Sequence, residues 1–105
     1  MKFKIENRLK QNVYTILRQA GYMPIKDRLS GKESFVRKLT QNRYPRFHLY
    51  VSATSSQIIF DLHLDQTVSR YENQTAHNAD YESLEVQQEL VRIFNFAEKN
   101  LLPQK

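Results

Sequence analysis

Over residues 46–66 the hydrophobic and polar positions alternate in two runs. Phe47, Leu49 and Val51 interleave with His48, Tyr50 and Ser52; Ile58, Phe60, Leu62 and Leu64 interleave with Ile59, Asp61, His63 and Asp65. A period of two sends the two sets to opposite faces of a strand, so the stretch reads as a β-hairpin with one apolar face and one polar face that carries an aromatic. With the turn centred on Thr54 and Ser55, Val51 pairs with Ile58, Leu49 with Phe60 and Phe47 with Leu62, and His48 falls opposite Asp61. A slip of two residues keeps both faces and changes the partners, whereas a slip of one puts apolar side chains in water.

Around the hairpin the pattern changes. Residues 4–20 set Ile5, Leu9, Val13, Ile16, Leu17 and Ala20 at helical spacing, which predicts an amphipathic helix ended by Gly21, with Tyr22 packing back on its last turn. Residues 23–32 contain Pro24, Ser30 and Gly31, lack a sustained period and read as a loop. Residues 33–40 read as a strand with Phe35, Arg37 and Leu39 facing one way and Val36 and Lys38 the other, at a sheet edge guarded by its cations. Pro45 suits the entrance to the next strand.

Residues 66–80 show no clear period, and a loop of that length in a small domain is commonly functional or a lid; Val68, Tyr71 and His77 argue against plain disorder. Residues 81–101 form a second helix through Val86, Leu90, Ile93, Phe94, Ala97 and Leu101, capped by Asp80 or Ser83 and ended by Pro103. The expected architecture is therefore an α+β two-layer sandwich, helix–three antiparallel strands–helix (αβββα), with both helices on one face and residues 1–105 forming one domain.

Composition narrows the chemistry. The chain has no cysteine, which excludes disulfides and thiolate metal sites and suits a reducing compartment. The first residues lack the continuous apolar run of a signal peptide, and no stretch approaches the roughly 20 apolar residues of a membrane span, so a soluble, cytoplasmic protein with no membrane partner is expected. The net charge of +5 is uneven: residues 1–46 hold 12 Lys/Arg against 3 Asp/Glu, and residues 47–105 hold 4 against 8. A basic half of this kind suits a polyanion. Lys26, Arg28, Lys32, Arg37, Lys38, Arg43 and Arg46 are the candidate phosphate contacts for nucleic acid, with Tyr22, Tyr44 and Tyr50 as stacking rings. The competing reading is a mixed surface whose two halves attract each other.

The predicted element order is also that of the double-stranded-RNA-binding domain. That family opens its last helix with a lysine cluster, whereas the corresponding stretch here, "DYESLEVQQE", is acidic, so the resemblance covers topology alone and carries over no residue. The segments "RFHLYV", "LHLDQ" and "QTAH" resemble a group of small bacterial proteins of unassigned activity, over most of the chain from "SFVRKL" onward. This implies a recurring domain and nothing about substrate.

The three histidines give a second line of chemistry. His48 and His63 lie on adjacent strands of the polar face with Asp61 and Asp65 beside them, and His77 joins them if residues 66–80 fold across that face. Imidazoles with a carboxylate form a ligand set for a divalent metal such as zinc, or a hydrolytic centre if one metal position stays open to water. The competing reading pairs His48 with Asp61 and makes His77 a cap of the loop. No nucleophile motif surrounds Ser52, Ser55 or Ser56, and the two glycines, Gly21 and Gly31, form no phosphate-cradling loop. The first expectation is thus a small binding module for nucleic acid and not an enzyme; the alternatives are the metal or hydrolytic site and an interaction or homodimerisation domain using an edge strand, with Tyr50 and Ile59 as anchors.

Overall fold

The computed structural model describes residues 1–68, 77–80 and 83–103. Among them the elements run β1 (Lys2–Glu6), α1 (Val13–Gln19), β2 (Met23–Lys26), β3 (Glu33–Lys38), β4 (Arg46–Ala53), β5 (Gln57–Val68), β6 (His77–Asp80) and α2 (Leu84–Glu98). Every strand pairing is antiparallel, in the spatial order β1-β5-β4-β3-β2, and β6 pairs with β5 as well. The expected helix–three strands–helix sandwich is therefore wrong. A strand precedes the first helix, another follows it, and the sheet reaches well beyond the central hairpin.

The length of β5 explains much of the difference. Of its 12 residues, Ile58 to Asp65 pair with β4 along one side, while the other side is shared: Gln57 to Asp61 take β1, and Leu64 to Val68 take β6. The segment "KFKIE", read from sequence as the start of a helix, supplies the β1 partner. Ile5 and Leu9 happen to stand four apart, but Phe3 and Ile5 also alternate with Lys2, Lys4 and Glu6, and unpaired polar groups along β5 favour the strand. Phe3 then stacks on Phe60 at 4.6 Å between ring centroids and meets the edge of Phe94 at 5.5 Å.

The helix that remains is short. Asn12 caps it through the Tyr14 amide, and its exit follows the expectation: Gly21 takes φ +96, its amide donates to the Arg18 carbonyl, and the Tyr22 amide donates to the Leu17 carbonyl. Tyr22 leads directly into β2, which covers β3. The region expected as a loop is thus partly strand, and the strand expected at the edge lies inside the sheet.

The central hairpin forms with its faces as expected and its partners displaced by two. Val51 lies opposite Phe60, Leu49 opposite Leu62, Phe47 opposite Leu64 and His48 opposite His63. The loop centres one residue later than Thr54–Ser55, because the Thr54 hydroxyl accepts from the Ser56 and Gln57 amides and closes the turn around Ser55 and Ser56. Of residues 66–80, expected as loop, Gln66 to Val68 extend β5 and His77–Asp80 form β6; the stretch between them, Tyr71 included, lies outside the described residues, as does Tyr81. Ser83 caps α2 by accepting from the Val86 amide.

One apolar core joins both helices to one face of the sheet. Leu17, Ala20, Val86, Leu90, Ile93 and Ala97 pack on Ile5, Phe35, Phe47, Leu49, Ile58, Phe60, Leu62 and Leu64. One charged group sits at its margin. Glu89 is buried and receives the Tyr22 hydroxyl at 2.6 Å, Arg37 at 2.9 and 3.0 Å, and Arg92 at 2.8 and 3.0 Å. Burial alone would raise its carboxyl; the hydrogen bonds from Arg92, Arg37 and Tyr22 outweigh that and hold it below the ordinary range. A carboxyl depressed in the folded state stabilises the fold above its unfolded value, and that contribution is lost as pH falls through the folded one. The stability difference between wild type and Glu89→Gln is therefore expected to be full at neutral pH and to shrink below about pH 4, measured by urea unfolding at a series of pH values.

Candidate functional site on the outer sheet face

The alternation that sends Phe47 and Leu49 to the helices sends His48 and Tyr50 to the opposite face, together with Asp61, His63 and Asp65 from β5 and Ser34 and Val36 from β3. The register makes neighbours of these residues. His48 stands between Val36 and His63, and Arg46 is directly opposite Asp65. Ser34 Oγ lies 2.8 Å from His48 Nε2, His48 Nδ1 lies 3.0 Å from one oxygen of Asp65, and His63 Nε2 lies 2.7 Å from the other. Arg46 Nε completes the group at 3.4 Å from Asp65 Oδ2, with its guanidinium over the Tyr44 ring at 4.6 Å.

These groups are withdrawn from solvent: Asp65 is 0 % exposed, and His48, His63 and Ser34 are likewise buried. Burial by itself would push the Asp65 carboxyl up. The hydrogen bonds and nearby charge of His48 and His63 more than offset it and hold Asp65 well below the usual carboxylate range, so it is ionised. One ligand-capable atom from each of His48, His63 and Asp65 lies within 4.8 Å of the other two. Tyr50 contacts both rings, with centroids 4.7 Å from His48 and 6.0 Å from His63, and also lines a neighbouring depression of about 420 Å³ with Lys2, Lys32, Ser52, Ile59 and Asp61.

Among the described residues, three of those expected to converge on a metal do so: His48, His63 and Asp65. Asp61 lies opposite Tyr50, four residues along β5 from Asp65, and stands 3.7 Å from the Met1 ammonium. The expected His48–Asp61 pair is replaced by His48–His63 through the two-residue displacement of the register. His77 lies opposite Val68 in β6, and its side chain is outside the described residues.

The seven basic candidates divide between four places. Lys26, Arg28 and Lys32 are exposed around the β2–β3 connection, and Lys38 and Arg43 are exposed beyond the other end of β3. Arg37 is on the helix face, engaged by Glu89, and Arg46 is engaged by Asp65. Ser34 escaped the sequence reading. Its parity with Val36 put it on the polar face, but its place beside His48 depends on how β3 aligns with β4, which alternation does not specify.

Compared with known protein families, with curated proteins and with solved structures, the chain gives no match to any of them. Among the described residues no helix is long and apolar enough to cross a membrane.

Because Asp65 is the shared acceptor of two imidazoles and a guanidinium, its charge cannot be removed without stranding them. Asp65→Asn is expected to lower the unfolding free energy by about 3–5 kcal/mol, the usual consequence of breaking a buried charged group, whereas Asp61→Asn should cost under about 1 kcal/mol. Paired denaturant titrations of the two variants check this contrast.

Proposed function

We propose that this chain is a small metal-binding domain that holds a divalent transition ion, zinc being the best fit, with His48, His63 and Asp65 as ligands. The observation that carries the reading is the convergence of two imidazoles and an ionised carboxylate within 4.8 Å, on a rigid sheet and away from bulk water. Two ligands of one tetrahedral zinc stand about 3.3 Å apart, given bonds of about 2.0–2.1 Å. The present contacts of 3.0 Å from His48 to Asp65 and 2.7 Å from His63 to Asp65 thus need only small side-chain adjustments. Nitrogen and oxygen donors without sulfur suit zinc and its first-row neighbours. Three protein ligands leave a fourth coordination position, which a water can fill.

Arg46 opposes this function electrostatically. Its guanidinium already neutralises Asp65, and a cation entering the site must share that carboxylate with it. Zinc titration followed by competition with a chromophoric chelator is expected to show one equivalent bound by the wild type. Binding should be lost in His63→Gln, unchanged in Asp61→Asn and tighter in Arg46→Gln. Equal affinity in the wild type and His63→Gln would refute the ligand set.

A second reading rests on Lys26, Arg28 and Lys32, which are exposed on one connection together with Leu29 at 98 % exposure. This end of the sheet is suited to contacting a nucleic-acid backbone, without Arg37 and Arg46. Binding of labelled RNA and DNA at several salt concentrations should then weaken log-linearly, and replacing the three cations by alanine should reduce the slope by about 1 for each. Salt-independent binding, or none at low salt, excludes it.

A further inference from the structure

The metal reading leaves one contact unused, that of Ser34 with His48. We propose that the Ser34 hydroxyl is the positioning group that fixes His48 as an Nδ1 ligand, by accepting a hydrogen bond from the Nε2–H that the ring carries once a metal occupies Nδ1. This inference rests on the metal reading and assigns the site a fourth, non-ligating member.

An ionised carboxylate has no hydrogen to donate, so the nitrogens facing Asp65 are the donors: His48 Nδ1–H at 3.0 Å and His63 Nε2–H at 2.7 Å. In the neutral ring, His48 Nε2 then carries a lone pair, and Ser34 donates its hydroxyl hydrogen to it across 2.8 Å. A metal bound among the three converging atoms needs the Nδ1 lone pair instead. The neutral ring must hold its proton on Nε2, which points at Ser34. A hydroxyl serves in either direction, because rotation about its Cβ–Oγ bond exchanges donor for acceptor while the oxygen stays in place. The same contact therefore fits both tautomers, and the ring need not turn.

The strand setting makes the contact rigid. Ser34 lies on β3, between β2 and β4, with its neighbours Phe35 in the core and Val36 directly opposite His48. The order hydroxyl, Nε2, Nδ1, carboxylate is also that of a nucleophilic serine relay. Ser34 is only 5 % exposed, however, so its oxygen is turned to the imidazole and closed to a substrate. Hydrogen-bond partners of ligating histidines commonly fix ring orientation and raise metal affinity in this way.

The test is a long-range proton–nitrogen NMR spectrum of His48 in uniformly 15N-labelled protein, recorded with and without zinc, beside zinc affinities of the wild type, Ser34→Ala and Ser34→Thr. The expected result is a move of the proton from Nδ1 to Nε2 on zinc addition. Ser34→Ala should lose about 10–100-fold in zinc affinity, and Ser34→Thr, which restores the hydroxyl, should recover most of it. A zinc-loaded wild type with the proton still on Nδ1 overturns the proposal, as does unchanged affinity in Ser34→Ala. The spectrum of the wild type decides the matter even if Ser34→Ala does not fold. Absence of zinc binding by the wild type is a different outcome: it refutes the metal site itself, and with it the role of Ser34.

Discussion

The pairing of β4 with β5 is the constraint on which the rest of this structure depends. Eight consecutive residue pairs, from Arg46 opposite Asp65 to Ala53 opposite Ile58, set one face of the hairpin against the helices and leave the other to a polar group. Both faces are read from one register. Moving it by one residue would exchange them and expose Leu49, Phe60 and Leu62, all nearly inaccessible in the fold. Moving it by two would keep the core and separate His48 from His63. The apolar effect thus selects the faces strongly and the partners weakly, and the turn around Ser55 and Ser56 makes the remaining choice.

Among the described residues, each side of the sheet buries one carboxylate. Glu89, on the helix side, is neutralised by Arg37 and Arg92 and capped by the Tyr22 hydroxyl, which ties α2 to the end of α1 and to β3. Its ligands are permanent cations with fixed donor geometry, and its role is accounted for by holding elements together. Asp65, on the outer side, is surrounded by two imidazoles and a more distant guanidinium. Imidazoles exchange a proton for a metal or move it between their nitrogens, so the second group has chemical freedom that the first lacks. That difference in partners, rather than burial, which the two share, is why the outer group is the candidate site.

Charge distribution reads differently once the chain is folded. Residues 1–46 are strongly basic as a sequence, yet Arg37 and Arg46 are drawn to the acidic residues of the second half, one on each face of the sheet. Of the rest, Lys26, Arg28 and Lys32 stand at the β2–β3 connection, Lys38 and Arg43 at the far end of β3, and Lys2, Lys4, Arg8, Lys10 and Arg18 on or near β1 and α1. A linear excess of one sign is therefore a weak guide to a surface when strands from both halves are interleaved, as β1 is with β5.

Period-two alternation determined the two strands of the central hairpin, their buried and polar faces, and the presence of His48, His63 and Asp65 on a common side. Helical periodicity determined the existence of α2, with Asp80 and Ser83 both open as its cap, and Gly21 determined the end of α1. These are local properties, decided by side-chain direction and by the few residues that tolerate a left-handed turn. The strand at Lys2–Glu6, the covering of β3 by β2 and the contact of Ser34 with His48 were decided only by tertiary structure. Short segments such as "KFKIE" satisfy more than one period. Their state is settled by the need of a long neighbouring strand for hydrogen-bond partners, and the coincidence of side chains across three strands is settled by registers that no single segment encodes.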